Sequence, residues 1–168
     1  MPLRTTSPVP EPQRDAALFA WHEVETEEDI ALLQKTACGF HDAVIRRMKL
    51  ETGCRYVPGE GMYLPYGPEG QLALYVDSDW FGRMQLAFSG VRSIRFQPYT
   101  ENYFPELQEA IVCFRTDLLG RTRDDRLIVW SDGAFDPTVP ERLDLRSVPV
   151  SYVIAQALQW RLIEEEQS

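Results

Sequence analysis

Residues 71–88 read Gln71-Leu72-Ala73-Leu74-Tyr75-Val76-Asp77-Ser78-Asp79-Trp80-Phe81-Gly82-Arg83-Met84-Gln85-Leu86-Ala87-Phe88, and their pattern decides the fold class. Gln71 to Val76 is a compact apolar run bounded by Gly70 and Asp77, the signature of a strand. Arg83 to Phe88 alternates, with Met84, Leu86 and Phe88 on one side and Arg83, Gln85 and Ala87 on the other. Asp77, Ser78, Asp79 and Gly82 between them are turn residues, so the stretch predicts a β-hairpin.

Strand patterns extend outward on both sides. Val44 to Glu51 separates into Val44, Arg46, Met48 and Leu50 against Ile45, Arg47, Lys49 and Glu51, as in a half-buried strand with the first set inward. Prolines and glycines from Pro58 to Gly70 mark a looping region around a short strand at Met62 to Leu64. Gly90 implies a bulge or sharp bend, after which Arg92 to Gln97 resumes as a strand with Ile94 and Phe96 inward. Ala110 to Arg115 and Arg126 to Trp130 add two more strands. Tyr152 to Ile163 fits either a helix, by the propensity of Ala155 to Gln159, or a strand. As a strand it sets Tyr152, Ile154, Leu158, Trp160 and Leu162 on one face, with Gln156 alone out of place. The clearest helix is Glu27 to Ala37, started by Thr26 and Asp29, carrying Ile30, Leu33 and Ala37 inward and stopped at Gly39.

Three short pieces resemble an uncharacterised family of small bacterial proteins: Gly39-Phe40-His41-Asp42 leading into a strand, Ile128-Val129-Trp130-Ser131-Asp132, and Leu158-Gln159-Trp160-Arg161. The similarity covers roughly Phe40 to Ile163. It implies that Tyr152 to Ile163 is a strand, and it implies no activity. The Ala-Gln-rich final segment and the long proline-bearing front end depart from the family's pattern. The expected fold is therefore α+β but mainly β: about seven antiparallel strands in one bent sheet, a sandwich or an incomplete barrel, with one short N-terminal helix. Residues 1–14 read as a disordered Pro-rich tail, and 15–168 as a single globular domain.

The 168 residues carry 26 acidic and 17 basic side chains, a formal charge of −9. That balance disfavours nucleic acid and anionic membrane surfaces, and it favours a basic protein as any macromolecular partner. The three cysteines, Cys38, Cys54 and Cys113, are too few and too scattered for a disulfide framework. No run approaches the length of a membrane span, and the front end lacks a signal-type apolar region, so a cytoplasmic location is expected.

No catalytic pattern emerges. Cys38 and His41 have Cys-x-x-His spacing, with Cys54 and His22 as further donors, but they straddle a helix end and lack a knuckle, so no zinc site is assigned. His41-Asp42 has the residue types of a base and its orienting carboxylate, yet neighbours on a strand point to opposite faces. Asp77-Ser78-Asp79 begins like a calcium loop and fails at Phe81 and Phe88. Asp132 and Asp136 read as turn residues. Loop aromatics, among them Trp80, Phe81, Tyr99 and Tyr103, suit a recognition surface or the lid of a β core.

The candidate functional surface is accordingly His41, Asp42, Trp80, Phe81, Tyr99, Tyr103 and Asp132, with no cofactor or metal expected. The favoured function is a non-enzymatic binding protein, immunity-like and directed at a basic protein. The alternative is a small enzyme or ligand-binding barrel with its pocket at the loop end near His41, Trp80 and Tyr99. Exposed strand edges also admit an oligomeric structural protein.

Overall fold

The computed structural model describes residues 15–65, 69–96, 106–107, 109–118, 126–132 and 151–164. The expectations for residues 1–14, Tyr99, Tyr103 and Asp136 lie outside them. The chain is mainly β and antiparallel, but the described residues hold twelve strands in three sheets rather than about seven strands, and no sheet among them closes into a barrel. The strand count rises because several sequence runs are interrupted and because very short strands carry no periodic signal of their own.

Six strands form the largest sheet: β1 (His22–Glu23), β2 (Ala43–Glu51), β5 (Gln71–Ser78), β6 (Gly82–Ser89), β8 (Glu106–Leu107) and β12 (Ala157–Ile163). Their order is β1-β12-β6-β5-β2-β8. A second sheet joins β7 (Ser93–Arg95), β11 (Tyr152–Ala155), β10 (Leu127–Asp132) and β9 (Ala110–Arg115), in that order. The small hairpin of β3 (Arg55–Val57) and β4 (Gly61–Tyr63) occupies the connection from β2 to β5. The 71–88 hairpin forms as the sequence predicts, with Gln71 opposite Ser89 and Ser78 opposite Gly82.

Helix α1 (Glu27–Thr36) starts at a capping box in which Thr26 accepts from the Asp29 amide and the Asp29 carboxylate accepts from the Thr26 amide. It buries Ile30 and Leu33, followed by Ala37, in the core that both large sheets share. Into that core the first sheet sends Leu72, Leu74, Met84, Leu86, Leu158 and Trp160, and the second sends Val112, Ile128, Trp130 and Val153. The indole N–H groups of Trp130 and Trp160 find no acceptor among the described residues, a cost of roughly 1–3 kcal/mol each that surrounding burial must outweigh.

The two sheets are joined at a corner made by two chain segments at once. The run from β6 to β7 changes sheet at Gly90, and the run from β11 to β12 changes sheet at Gln156. The Gln156 amide donates to the carbonyls of Ser89 and Gly90, and the Arg92 amide donates to the Ile154 carbonyl. Gly90 has φ +61°, and a Cβ there would lie 2.8 Å from the Gln156 Cβ. The predicted bend is thus an obligatory glycine.

Several inward faces differ from the periodic reading. Gln156 is an inserted residue that flips the alternation: Val153 and Ala155 face the shared core ahead of it, and Leu158, Trp160 and Leu162 face it behind. Tyr152 and Ile154 instead join a second cluster with Leu118, Leu127, Val129 and Cys113. In β2 a bulge between Ile45 and Arg47 has the same effect, so Val44 lies opposite Asp77 while Met48 and Leu50 lie opposite Leu74 and Leu72. All three are exposed, Val44 because it stands on the outer face with Asp77, and Met48 and Leu50 on the inner face beyond the cover of the core; Phe96, expected inward, is exposed as well.

Gly90→Ala is expected to destabilise the fold by about 2–4 kcal/mol in urea titration, combining left-handed strain with overpacking against Gln156. The Thr26 hydroxyl and the Glu25 and Thr26 amides hold the Asp29 carboxyl below its usual range. A carboxyl whose folded value is depressed contributes stability above its unfolded value and loses it as pH falls through the folded one. The stability difference between the wild type and Asp29→Ala should therefore be present at neutral pH and close on acidification, as followed by thermal melts.

Candidate functional site

The segment Cys38–Asp42 links α1 to β2 through a 3-10 turn at Cys38–Phe40. Four of its five residues have positive φ: Cys38 at 49°, Gly39 at 66°, Phe40 at 59° and Asp42 at 54°. For the non-glycine residues this conformation costs roughly 1–2 kcal/mol each. What holds Phe40 there is the core: its buried ring meets Trp130 edge-on at 6.0 Å and Phe81 edge-on at 6.3 Å.

With Phe40 drawn inward, His41 and Asp42 are thrown outward. Neither lies on a strand, so the expected separation of their side chains fails, and His41 Nδ1 sits 2.8 Å from the Asp42 carboxylate. The same carboxylate accepts from the Trp80 indole at 3.3 Å, and the Ser78 hydroxyl donates to the His41 carbonyl at 3.5 Å. The hairpin turn thereby brings Trp80 to residues 38 positions earlier in the chain. Of the sequence candidates, His41, Asp42 and Trp80 form one exposed cluster.

Phe81 and Asp132 do not belong to that surface. Phe81 is only 2 % exposed and packs beneath the turn, because the chain must reverse over the core and one of its two turn aromatics fills it. Asp132 is buried at the end of β10, opposite Ala110, with its amide bonded to the Ser151 carbonyl. Among the described residues no group of three or more His, Cys, Asp or Glu is placed to hold a metal ion. Cys113 is half-buried, and burial pushes its thiol up, away from the reactive thiolate.

A concavity lies elsewhere, on the outer face of the six-stranded sheet. Registered rows cross it: Lys49, Ala73, Ala87, Gln159 and Glu23 in one, and Glu51, Gln71, Ser89 and Ala157 in the next. Ala73 and Ala87 in the first row and Ser89 and Ala157 in the second are small and leave a groove of about 600 Å³. Its rim carries Trp21, Glu23, Glu25, Lys49, Glu51 and Tyr75. Lys49 pairs with Glu51 at 2.8 Å, which raises the lysine and lowers the carboxyl relative to their usual values. Gln159 donates to Glu23 at 3.0 Å. Trp21 is held by the Arg161 guanidinium 4.4 Å above its ring, and Arg161 in turn donates to Gln85.

None of these groove residues stood out in the sequence. The available signal was the outward set of the central hairpin, where Ala73 and Ala87 occupy positions that usually carry large polar side chains, but only strand register aligns them. The loop-end pocket offered as the alternative, near His41, Trp80 and Tyr99, includes Tyr99, which lies outside the described residues. Comparison with known protein families, curated proteins and solved structures found no match.

Trp80, at 61 % exposure with a single long side-chain hydrogen bond, and Phe81 beneath it should separate cleanly. Trp80→Ala is expected to change stability by less than about 0.5 kcal/mol, and Phe81→Ala to cost about 3–5 kcal/mol in chemical denaturation.

Proposed function

We propose that the chain is a non-enzymatic binding protein that receives a basic segment of a partner protein in the groove across the six-stranded sheet. The observation that carries this reading is the groove's lining, where the carboxylates of Glu23, Glu25 and Glu51 and the one ammonium of Lys49 surround Ala73, Ala87, Ser89 and Ala157, while the guanidiniums of Arg161 and Arg47 are stacked on Trp21 and Tyr75. A small-residue floor admits an extended chain or long side chains, and the excess carboxylates favour guanidinium or ammonium groups. The net charge of −9 adds a long-range field of the same sense. Its specific form is an immunity-like protein that captures a basic toxin or another basic protein. The family resemblance of the Gly39–Asp42, Ile128–Asp132 and Leu158–Arg161 pieces is compatible with such a role and adds no activity to it.

A cytoplasmic setting belongs to the same proposal. Cys38 and Cys54 are exposed free thiols, which suit a reducing compartment. No helix among the described residues is long and apolar enough to cross a membrane. The second reading, a small polar ligand in place of a protein segment, draws on the amides of Gln71, Gln85 and Gln159 and the Tyr75 hydroxyl lining the same groove.

Fluorescence anisotropy with a labelled oligoarginine peptide tests the proposal. Binding is expected at low ionic strength and should weaken as salt screens the rim. Glu25→Gln and Glu51→Gln should each weaken it about threefold, the scale of an exposed charge pair. Ala87→Trp, which fills the floor, should abolish it while leaving the circular dichroism spectrum intact. Absence of binding at low salt, or binding indifferent to Glu25→Gln and Ala87→Trp, would overturn the reading.

A further inference from the structure

One outward row of the six-stranded sheet carries a directed chain of side-chain contacts. Strand register sets Arg47 of β2 opposite Tyr75, Tyr75 opposite Gln85, and Gln85 opposite Arg161. The Arg161 guanidinium donates through Nε and Nη2 to Gln85 Oε1, at 3.2 and 3.0 Å, and lies 4.4 Å from the Trp21 ring at the far end of the row. Gln85 Nε2 in turn donates to the Tyr75 hydroxyl at 3.3 Å. The Arg47 guanidinium stands 5.4 Å from the centre of the Tyr75 ring.

The chain runs in only one direction. A guanidinium has donors and no acceptor, so the Gln85 atom that meets it is the oxygen, and the amide nitrogen is left for Tyr75. Gln85 therefore takes the acceptor side of the phenol, and the Tyr75 O–H is turned the other way, toward β2. There Arg47 stands opposite Tyr75, and Lys49 follows on the same face, opposite Ala73. Nearby cations are met by carboxylates, Arg46 and Arg83 by Asp77, and Lys49 by Glu51. Arg47 and Arg161 are held by rings and an amide instead, which leaves guanidinium donors for an oxygen anion.

The acidic side of the groove lies at β1. Glu23 accepts from Gln159 there, and Glu25 lines the same wall. Glu51, nearer Tyr75, is matched by Lys49, so the groove has a carboxylate pole at β1 and a donor pole at Tyr75. β12 and β6 separate β1 from β5, which sets the poles roughly 14 Å apart at about 4.8 Å per strand, the reach of about four extended residues.

We propose that the donor pole at Tyr75 and Arg47 is a carboxylate subsite, so that the segment received by the groove carries an acidic group roughly four residues from a basic one. This inference deepens the groove reading and rests on it. Arg161 and Gln85 are positioning residues, which fix the direction of the Tyr75 hydroxyl without bonding the carboxylate themselves.

Fluorescence anisotropy at low salt tests it with labelled, C-terminally amidated peptides: oligoarginine, and the same peptide with one internal arginine replaced by glutamate or by glutamine. In a groove that is acidic throughout, the glutamate peptide binds more weakly than the glutamine peptide. With the subsite it should bind about threefold more tightly, the scale of an exposed charge pair. Oligoarginine with a free C-terminal carboxylate distinguishes a chain end from a side chain as the source of the group. Tyr75→Phe, which keeps the ring, should remove the gain. Gln85→Glu accepts from both Arg161 and Tyr75, draws the phenol proton to itself, and should reverse the preference; circular dichroism checks that both variants fold. Oligoarginine binding without a gain from either carboxylate, or a gain that survives Tyr75→Phe or Gln85→Glu, overturns the subsite and leaves the groove reading standing. Failure of every peptide to bind overturns both.

Discussion

The close approach of Gly90 to Gln156 is the constraint from which the rest of the architecture follows. Two antiparallel neighbours, β6 running into β7 and β11 running into β12, leave one sheet and enter the other at the same place. They stay hydrogen-bonded through the bend, since the Gln156 amide bonds to Ser89 and Gly90 and the Arg92 amide to Ile154. Bending both strands together keeps their backbone groups paired through the change of sheet, where Gly90 itself is buried. Only a residue without a Cβ fits at the inside of the bend. Without that corner the two sheets would not share one core, and Trp130 and Trp160 would have no common apolar environment.

A second constraint is set against the first. The core reaches up to Phe40 and holds it with φ at 59°, through edge-on contacts with Trp130 and Phe81. Burying this one ring forces Cys38, Gly39 and Asp42 into left-handed conformations as well, and it turns His41 and Asp42 outward to meet Trp80. The strained turn is thus explained by packing, and the His41–Asp42–Trp80 cluster is its surface consequence. An exposed imidazole and carboxylate, 2.8 Å apart, are what the strained turn presents at the surface. The groove on the outer sheet face has the reverse character: a well-formed concavity with charged walls and no strained backbone at its floor.

Much of the local structure was legible from pattern. The helix from Glu27, its capping box, the 71–88 hairpin, the strand at Ala110–Arg115 and the bend at Gly90 all rest on near-neighbour rules, and all appear. Faces failed wherever one residue was inserted, at Arg46 and at Gln156, because a period of two carries no memory across a bulge. The candidate site was legible only in part. His41, Asp42 and Trp80 were named as residues but not as a cluster held by Asp42, and Phe81 looked like a loop aromatic although it is core. The groove was invisible, since Lys49, Ala73, Ala87, Gln159 and Glu23 become one row only when four strand pairings set their register.

The sequence by itself determined that the chain is a mainly β, antiparallel protein with one capped helix, acidic overall. Hydrophobic period, turn residues and charge are all local properties, and local physics reads them directly. The tertiary structure decided how the described strands divide into sheets, which side chains share a face and where a concavity opens. Each of these depends on contacts between residues far apart in the chain, such as Gly90 with Gln156 or Asp42 with Trp80, whose energies exist only once both partners have been brought to the same place.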